Sequence, residues 1–226
     1  MGDYSAARVE YAKAVRMATN GRDSLHTEFQ KALVYFWEGR ASQGLRALTN
    51  VEQKARGAKE PYSLFEAQEA LALLAATSRE RLQKLSQIEV VFSAPVENMG
   101  DADRNPTLAA VWRDQARENA QQNKLDDAQR AVQKLEQLAA KSRDLIVEDC
   151  YESARGYVHF VQKNFRDAAS ELSADPHSPV AVKWLAVARE KAGDAKSADD
   201  AKLRFKYLRA PTAGWYLATH SGSAAN

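Results

Sequence analysis

The sequence has few cysteines, little net charge and no long apolar runs. Among its 226 residues Cys150 is the one cysteine, so no disulfide can form within the chain. The 32 basic and 30 acidic side chains leave a formal net charge of +2, too small to attract nucleic acid or an anionic membrane. No apolar run is long enough for a membrane span, and no signal-peptide pattern opens the chain. A disulfide-stabilised, a nucleic-acid-binding and a membrane-spanning protein are therefore not indicated, and the compartment stays open.

Motifs for catalysis and for metal binding are also missing. The four histidines are far apart, and none forms the helical pair of a zinc site. The segment 101–105, DADRN, is similar to the start of a calcium loop, but Pro106 stands at the glycine position and Trp112 at the last ligand position. No glycine-rich phosphate loop or Gly-x-Ser-x-Gly motif occurs. The sequence therefore predicts a protein that is not an enzyme, with no catalytic residues, metal or cofactor.

Helix-forming residues dominate what is present. Segments dense in Ala, Leu, Glu, Gln, Lys and Arg lie between glycines and prolines, and strict apolar/polar alternation is nearly absent. This pattern predicts an all-α protein. The predicted helices are 3–19, 23–38, 41–57, 62–76, 78–93, 106–122, 125–142, 144–163, 165–174, 179–192 and 195–209. Because most connections are short, sequential helices are expected to pack antiparallel.

Local signals place several of these helix ends. Asp3 is expected to cap the first helix, and Asn20 with Gly21 to close it in the left-handed conformation. Thr77 and Glu80 have capping-box spacing, which favours two helices over one long helix between residues 62 and 93.

The irregular segment SAPVENMGDADRNP divides the chain into two groups of helices. The predicted organisation is helical repeats over 1–94, a loop over 95–105, further repeats over 106–209, a capping segment over 210–220 and a disordered tail over 221–226. The capping segment carries Trp215, Tyr216 and Leu217 and is expected to cover the exposed end of the array. A self-docking or dimer-forming strip is the alternative for this segment.

Paired helices repeat with a period of about 34 residues and place small residues where two helices approach closely. The copy from Ala109 carries Trp112, Ala116, Leu125, Ala128 and Val132. The copy from Pro179 carries Leu185, Ala186, Gly193, Asp194, Ala198 and Pro211. Weaker copies carry Ala32, Tyr35, Gly39 and Gly44, and Gly156 and Ala168. This pattern resembles the tetratricopeptide repeat (TPR) family over most of the chain.

The resemblance implies an α-solenoid of antiparallel helix pairs wound into a right-handed superhelix, with the first helix of each pair on a concave face. The opening GDYSAARVEYAKAV resembles the turn and second helix of such a repeat. We therefore expect this chain to be the C-terminal part of a longer protein, with Met1 and Gly2 added in front. A natural N-terminal capping helix is the alternative.

The family register also implies a set of groove residues. They are Phe29, Leu33, Phe36, Trp37, Arg113, Arg117, Tyr157, Phe160, Lys183 and Lys191. Arg113 and Arg117, four residues apart, can clamp a carboxylate or phosphate, or they can form salt bridges with acids such as Asp114 and Glu118. The aromatic residues at helical spacing can equally belong to the core.

The resemblance implies a non-catalytic scaffold that binds a protein or peptide ligand in this groove. One alternative is the regulatory C-terminal region of a larger multidomain enzyme or transcription regulator. A nucleic-acid-binding helical repeat is less favoured because the net charge is small. No membrane segment is expected, and the sequence does not indicate the oligomeric state.

Overall fold

The computed structural model describes residues 3–208 and 212–220, which form twelve α-helices and no strand. The helices are α1 (Tyr4–Met17), α2 (Gly21–Trp37), α3 (Ala41–Ala58), α4 (Pro61–Leu73), α5 (Ser78–Ser93), α6 (Asp101–Gln121), α7 (Leu125–Ser142), α8 (Leu145–Val161), α9 (Phe165–Leu172), α10 (Pro179–Lys191), α11 (Ala195–Tyr207) and α12 (Ala213–His220). The predicted all-α class is confirmed. None of the described helices is long and apolar enough to cross a membrane.

Each helix from α1 to α10 packs against the next one in the chain. Some helices two positions apart in the chain also contact each other, namely α2 and α4, α6 and α8, and α8 and α10. We call the side formed by α2, α4, α6, α8 and α10 the even-helix face. The last helix, α12, packs against α10, α4 and α2, so it lies on this face.

Four of the helix pairs are joined by the same kind of turn. The turns after α2, α6, α8 and α10 each contain one left-handed residue, which is Gly39, Asn123, Lys163 or Gly193. In each turn the residue that follows the left-handed one donates its backbone N–H to the carbonyl of the residue five positions before itself, at 2.8 or 2.9 Å. Such bonds satisfy carbonyl groups that the helix end leaves free, and they reverse the chain.

Two glycines allow paired helices to approach closely. A Cβ added at Gly44 of α3 would collide with the ring of Phe36 in α2. A Cβ added at Gly156 of α8 would lie 2.7 Å from Cγ of Leu172 in α9. Both glycines belong to the repeat pattern, so the pattern marks real close contacts between helices.

The local capping signals have different outcomes. Asp3 caps α1 by accepting a hydrogen bond from Ala6 N at 2.9 Å, and Thr77 forms the predicted capping box with Glu80. The prediction for Asn20 and Gly21 is wrong, because neither residue is left-handed and both belong to the start of α2. Asn20 is its N-cap and accepts from Asp23 N at 2.8 Å, the bond that favours asparagine at this position.

The predicted loop over 95–105 is too long, because α6 begins at Asp101. Arg104 fixes this first part of the helix by donating to Ser93 O at 3.2 Å and to Asp101 Oδ1 at 2.7 Å. The acidic residues Asp101 and Asp103 also favour a helix N-terminus. Pro106 therefore lies inside the helix, where it removes one backbone donor without ending it.

The helices bury three apolar clusters, and α12 connects two of them. One cluster is formed by α2, α3 and α4 and includes Ala213, whereas the largest is formed by α6 to α11 and includes Ala218. A third cluster lies between α4, α5 and α6. The described residues do not include Met1 and Gly2, which we expected to be additions, residues 209–211, or the predicted disordered tail 221–226.

Candidate functional site on the even-helix face

Aromatic contacts hold α12 on the even-helix face. The ring centres of Trp215 and Trp37 are 4.4 Å apart. Tyr216 meets the rings of Phe36 and Trp37 edge-on, with centres 5.3 and 5.4 Å apart. Further along α12, Lys183 Nζ of α10 donates a hydrogen bond to Ala218 O at 2.7 Å. We call this surface of α2, α4 and α10 the α12 seat.

The sequence predicted that residues 210–220 cover the exposed end of the last repeat. The described part of this segment packs on α10, α4 and α2 instead. Leu203 and Tyr207 of α11 remain 53% and 67% exposed, so the outer side of α11 is open to solvent. Aromatic partners explain the difference, because Trp37 and Phe36 offer ring contacts to α12.

A cavity of about 420 Å³ adjoins the α12 seat. Its walls come from α4, α6, α8, the start of α10 and the start of α12, so five segments meet there. Its charged lining residues are Glu69, Arg113, Asp114, Arg117, Asp149, Asp175 and the exposed His177. We call it the charged cavity.

Arg117 is at the centre of a buried ion network beside this cavity. Its guanidinium donates to Asp114 Oδ1 at 2.8 Å and to Glu118 Oε1 at 3.0 Å, and all three residues are at most 2% exposed. Arg81 Nε of α5 lies 2.9 Å from Glu118 Oε2. Burial alone would lower the pKa of Arg117, but Asp114 and Glu118 raise it. Arg117 therefore fixes α6 and has little capacity for a ligand.

Arg113 has longer and weaker contacts. Its guanidinium lies 3.4 Å from the carboxylate oxygens of Asp114 and 3.6 Å from Asp175 Oδ2. Burial opposes the charged form, yet Asp114, the Cys150 thiol and Asp175 together raise its pKa well above the ordinary value. Of the two roles open to these arginines, the structure shows salt bridges with neighbouring acids.

Glu69 of α4 is half-buried and points into the charged cavity. Within the described residues, no hydrogen-bond donor or cation lies within bonding distance of its carboxyl group. Burial, reinforced by the negative charge of Asp114, raises the pKa of Glu69 to about 7. This carboxyl group therefore changes its charge close to neutral pH.

Cys150 is buried beside Arg113, whose Nη1 lies 3.8 Å from the sulfur. Burial raises the pKa of the thiol to about 12 in spite of the positive charge of Arg113. Because the thiolate is the nucleophile, this cysteine is unreactive at neutral pH. Among the described residues, no three His, Cys, Asp or Glu side chains are arranged to hold a metal ion.

The ten predicted groove residues occupy three kinds of position. Phe29, Leu33, Phe36, Arg117, Tyr157 and Phe160 are buried, Trp37, Arg113 and Lys183 are half-buried, and Lys191 is exposed. Phe36, Trp37 and Lys183 contact α12, whereas Arg113 and Arg117 line the charged cavity. Phe29 and Leu33 belong to the core of α2 to α4, and Tyr157 and Phe160 to that of α6 to α11.

Three of the four acidic residues of the charged cavity, Glu69, Asp149 and Asp175, were missed in the sequence, whereas Asp114 was named as a salt-bridge partner. Glu69 is one of two acids in the apolar helix α4, and Asp175 stands directly before Pro176. A buried acid in an apolar helix is unusual, and this was the available signal for Glu69. No local signal connects it with Asp175, because about a hundred residues separate them along the chain.

Comparison of the chain with models of protein families gives no match. Comparison with curated protein sequences gives no match either.

Proposed function

We propose that this chain is a TPR-like helical-repeat scaffold, without catalytic activity, that binds a helical segment of a partner protein on the even-helix face. The position of α12 is the observation that carries this proposal. An eight-residue helix lies there against α2, α4 and α10 through aromatic side chains. A surface that holds one aromatic helix of its own chain suits a similar helix from another protein.

Repeat geometry supports the TPR-like part of the proposal. Four turns share one left-handed position, and Gly44 and Gly156 stand where paired helices touch. A helix of eight residues is only about 12 Å long. Because α12 contacts both α2 and α10, these two helices lie within reach of one short helix, which favours an even-helix face that curves inward. An inward-curving face of alternate helices is the expected groove of a right-handed solenoid.

The proposal can be tested with a fluorescent peptide that has the sequence of residues 212–220. In the parent chain α12 competes with this peptide at the high effective concentration of a tethered segment, so we expect weak binding. A chain carrying Trp215→Ala and Tyr216→Ala loses the ring contacts of α12 and leaves the seat accessible. We expect this variant to bind the peptide at least tenfold more tightly than the parent, measured by fluorescence anisotropy.

A matched control peptide carries alanine in place of Trp215 and Tyr216, and it should not bind. Far-ultraviolet circular dichroism checks that the variant chain keeps its helices. If the folded variant binds both peptides equally or neither, the α12 seat is not a helix-binding surface.

A further inference from the structure

The charged cavity has an excess of acidic groups. Four carboxyl groups line it, from Glu69, Asp114, Asp149 and Asp175, together with two guanidinium groups, from Arg113 and Arg117. Arg117 is already bonded to Asp114 and Glu118, so Arg117 and Asp114 balance each other within the protein. Three carboxyl groups, from Glu69, Asp149 and Asp175, then remain against the one guanidinium group of Arg113. The cavity as a whole therefore favours a positively charged ligand over an anion.

Two of these acids have a carboxylate oxygen without a hydrogen-bond donor. Asp175 Oδ1 accepts a hydrogen bond from Ser178 N at 3.2 Å. Asp175 is 6% exposed, and its Oδ2 has no hydrogen bond within the described residues. The nearest cation, Arg113 Nη1, is 3.6 Å away, which is too far for a hydrogen bond. Glu69 likewise has no donor among residues 3–208 and 212–220. Because buried acceptors are nearly always satisfied in folded proteins, Asp175 Oδ2 can accept a further donor in this cavity.

The other walls of the cavity are apolar. Leu73 of α4, Ile146 of α8, and Pro179 and Val180 of α10 line it. Such walls suit a ligand that has an aliphatic stem behind its charged group. A metal ion suits them poorly, and no described set of three His, Cys, Asp or Glu side chains has the arrangement that a metal needs. The volume of about 420 Å³ lies within the usual range of small-ligand sites.

We propose that the charged cavity binds an alkylammonium group, which is a positively charged amine on an aliphatic stem. The ammonium donates to Glu69 and to Asp175 Oδ2, and the stem lies along Leu73 and Val180. Two sources carry this group, namely the lysine side chain of a protein and a small free diamine. The proposal does not require a partner helix at the α12 seat, because the start of α12 itself forms part of the cavity wall.

The first experiment titrates the isotope-labelled full chain with n-butylamine near pH 8 and follows backbone amide resonances by NMR. We expect saturable shifts at residues around the cavity, and none with n-butyrate, which has a similar stem and the opposite charge. The variant Glu69→Gln keeps the shape of the side chain and removes its charge, so we expect at least tenfold weaker binding of n-butylamine.

A matched control is Glu136→Gln, which removes one exposed carboxylate from α7 and should leave binding unchanged. Circular dichroism confirms that both variants are folded. If n-butyrate binds as tightly as n-butylamine, if no resonance shifts, or if Glu69→Gln binds the amine like the parent, the proposal is wrong.

Two further probes distinguish the sources of the ammonium group. One is Nα-acetyl-lysine N-methylamide, which represents a lysine within a protein, and the other is cadaverine, a free diamine. Tighter binding of the lysine derivative supports a protein ligand, and tighter binding of cadaverine supports a free diamine. Either result supports an alkylammonium site, provided that the Glu69→Gln substitution weakens binding of the probe.

The pH dependence of binding provides a second readout. The charged and titratable groups around Glu69 are Glu66 of its own helix, Arg113, Asp114 and Arg117 of α6, Asp149 and Cys150 of α8, and Asp175 and His177 before α10. Because burial and then Asp114 raise the pKa of Glu69 to about 7, protons compete with the ammonium below that pH.

When the pH is lowered from about 8 to about 6, the affinity for n-butylamine should fall in both chains. We expect the fall to be roughly tenfold larger for the parent chain than for Glu69→Gln. The difference between the two chains isolates Glu69 from the other groups of the cavity. Identical pH dependence in both chains would contradict the assignment of Glu69 as the ammonium acceptor.

Discussion

Replacing Gly156 by alanine tests whether helix pairing depends on close contact between α8 and α9. The added Cβ would lie 2.7 Å from Leu172 Cγ and 3.1 Å from both Leu172 Cδ2 and Leu172 N. Because one of these neighbours is a backbone atom and Leu172 is fully buried, the side chain cannot relieve the clash by rotating. Overpacking of this kind costs about 1–3 kcal/mol. Alanine regains about 0.5–1 kcal/mol of helix preference, so the net loss should be about 1–2 kcal/mol.

Urea unfolding followed by far-ultraviolet circular dichroism measures this loss. Gly57→Ala is the matched control, because Gly57 is exposed in α3 and an added Cβ there would meet no atom within 4 Å. This control should gain about 0.5 kcal/mol. If Gly156→Ala is as stable as the parent, the proposed close contact is wrong.

Leu172→Ala combined with Gly156→Ala extends the test. Truncation of Leu172 removes the atoms that the new Cβ would strike, so the two substitutions should not be additive. The double variant should lose less stability than the sum of the two single losses. Full additivity would show that Gly156→Ala acts through something other than Leu172.

Two further predictions concern charged groups. Glu69 has a pKa of about 7 in the folded chain against 4.5 in the unfolded chain, so between these values it takes up a proton on folding. Stability should therefore fall as the pH rises through this window. Thermal unfolding near pH 8 should show Glu69→Gln more stable than the parent by up to about 3 kcal/mol. Near pH 4.5 the two chains should be equally stable. Equal stability at both pH values would contradict the raised pKa of Glu69. Asp114→Asn weakens the buried pair with Arg117 and should cost about 3 kcal/mol in urea unfolding. The control is Asp127→Asn, which weakens the exposed pair of Asp127 with Arg130 and should change stability by less than about 1 kcal/mol. Similar losses in both variants would refute the distinction between the buried and the exposed ion pair.

Helices were predictable from the sequence where their signals are local. The capping box of Thr77 and Glu80 involves residues three positions apart, and Gly39 and Gly193 provide the left-handed positions at two turns. The start of α6 was not predictable in the same way, because Pro106 looks like a boundary when the contacts of Arg104 are unknown.

The last helix shows how a short signal can be missed. Thr212 accepts a hydrogen bond from Trp215 N at 3.1 Å, which is a recognisable N-cap spacing. The helix that follows has eight residues and contains Gly214, so its own helix preference is weak. It forms where Trp37 and Phe36 can pack on it, and these partners lie far away along the sequence.

The charged cavity was predictable in part. Arg113 and Arg117 follow from helical spacing, because residues four apart share one face. The pairing of Arg113 with Asp175 joins α6 to the loop before α10, so it becomes visible only when these two segments lie side by side. The unpaired state of Glu69 depends on every neighbour at once, so it requires the three-dimensional structure.

The contacts of α12 have a consequence for how the chain folds during its synthesis. In an array whose units touch only their neighbours, each hairpin can reach its final packing soon after it leaves the ribosome. Here α2 and α4 are completed by a helix at residues 213–220, which is synthesised after all the others. The rings of Trp37 and its neighbours on α2 therefore stay uncovered until residues 213–220 have been synthesised, and chaperones that bind exposed aromatic surface can reach them during this interval.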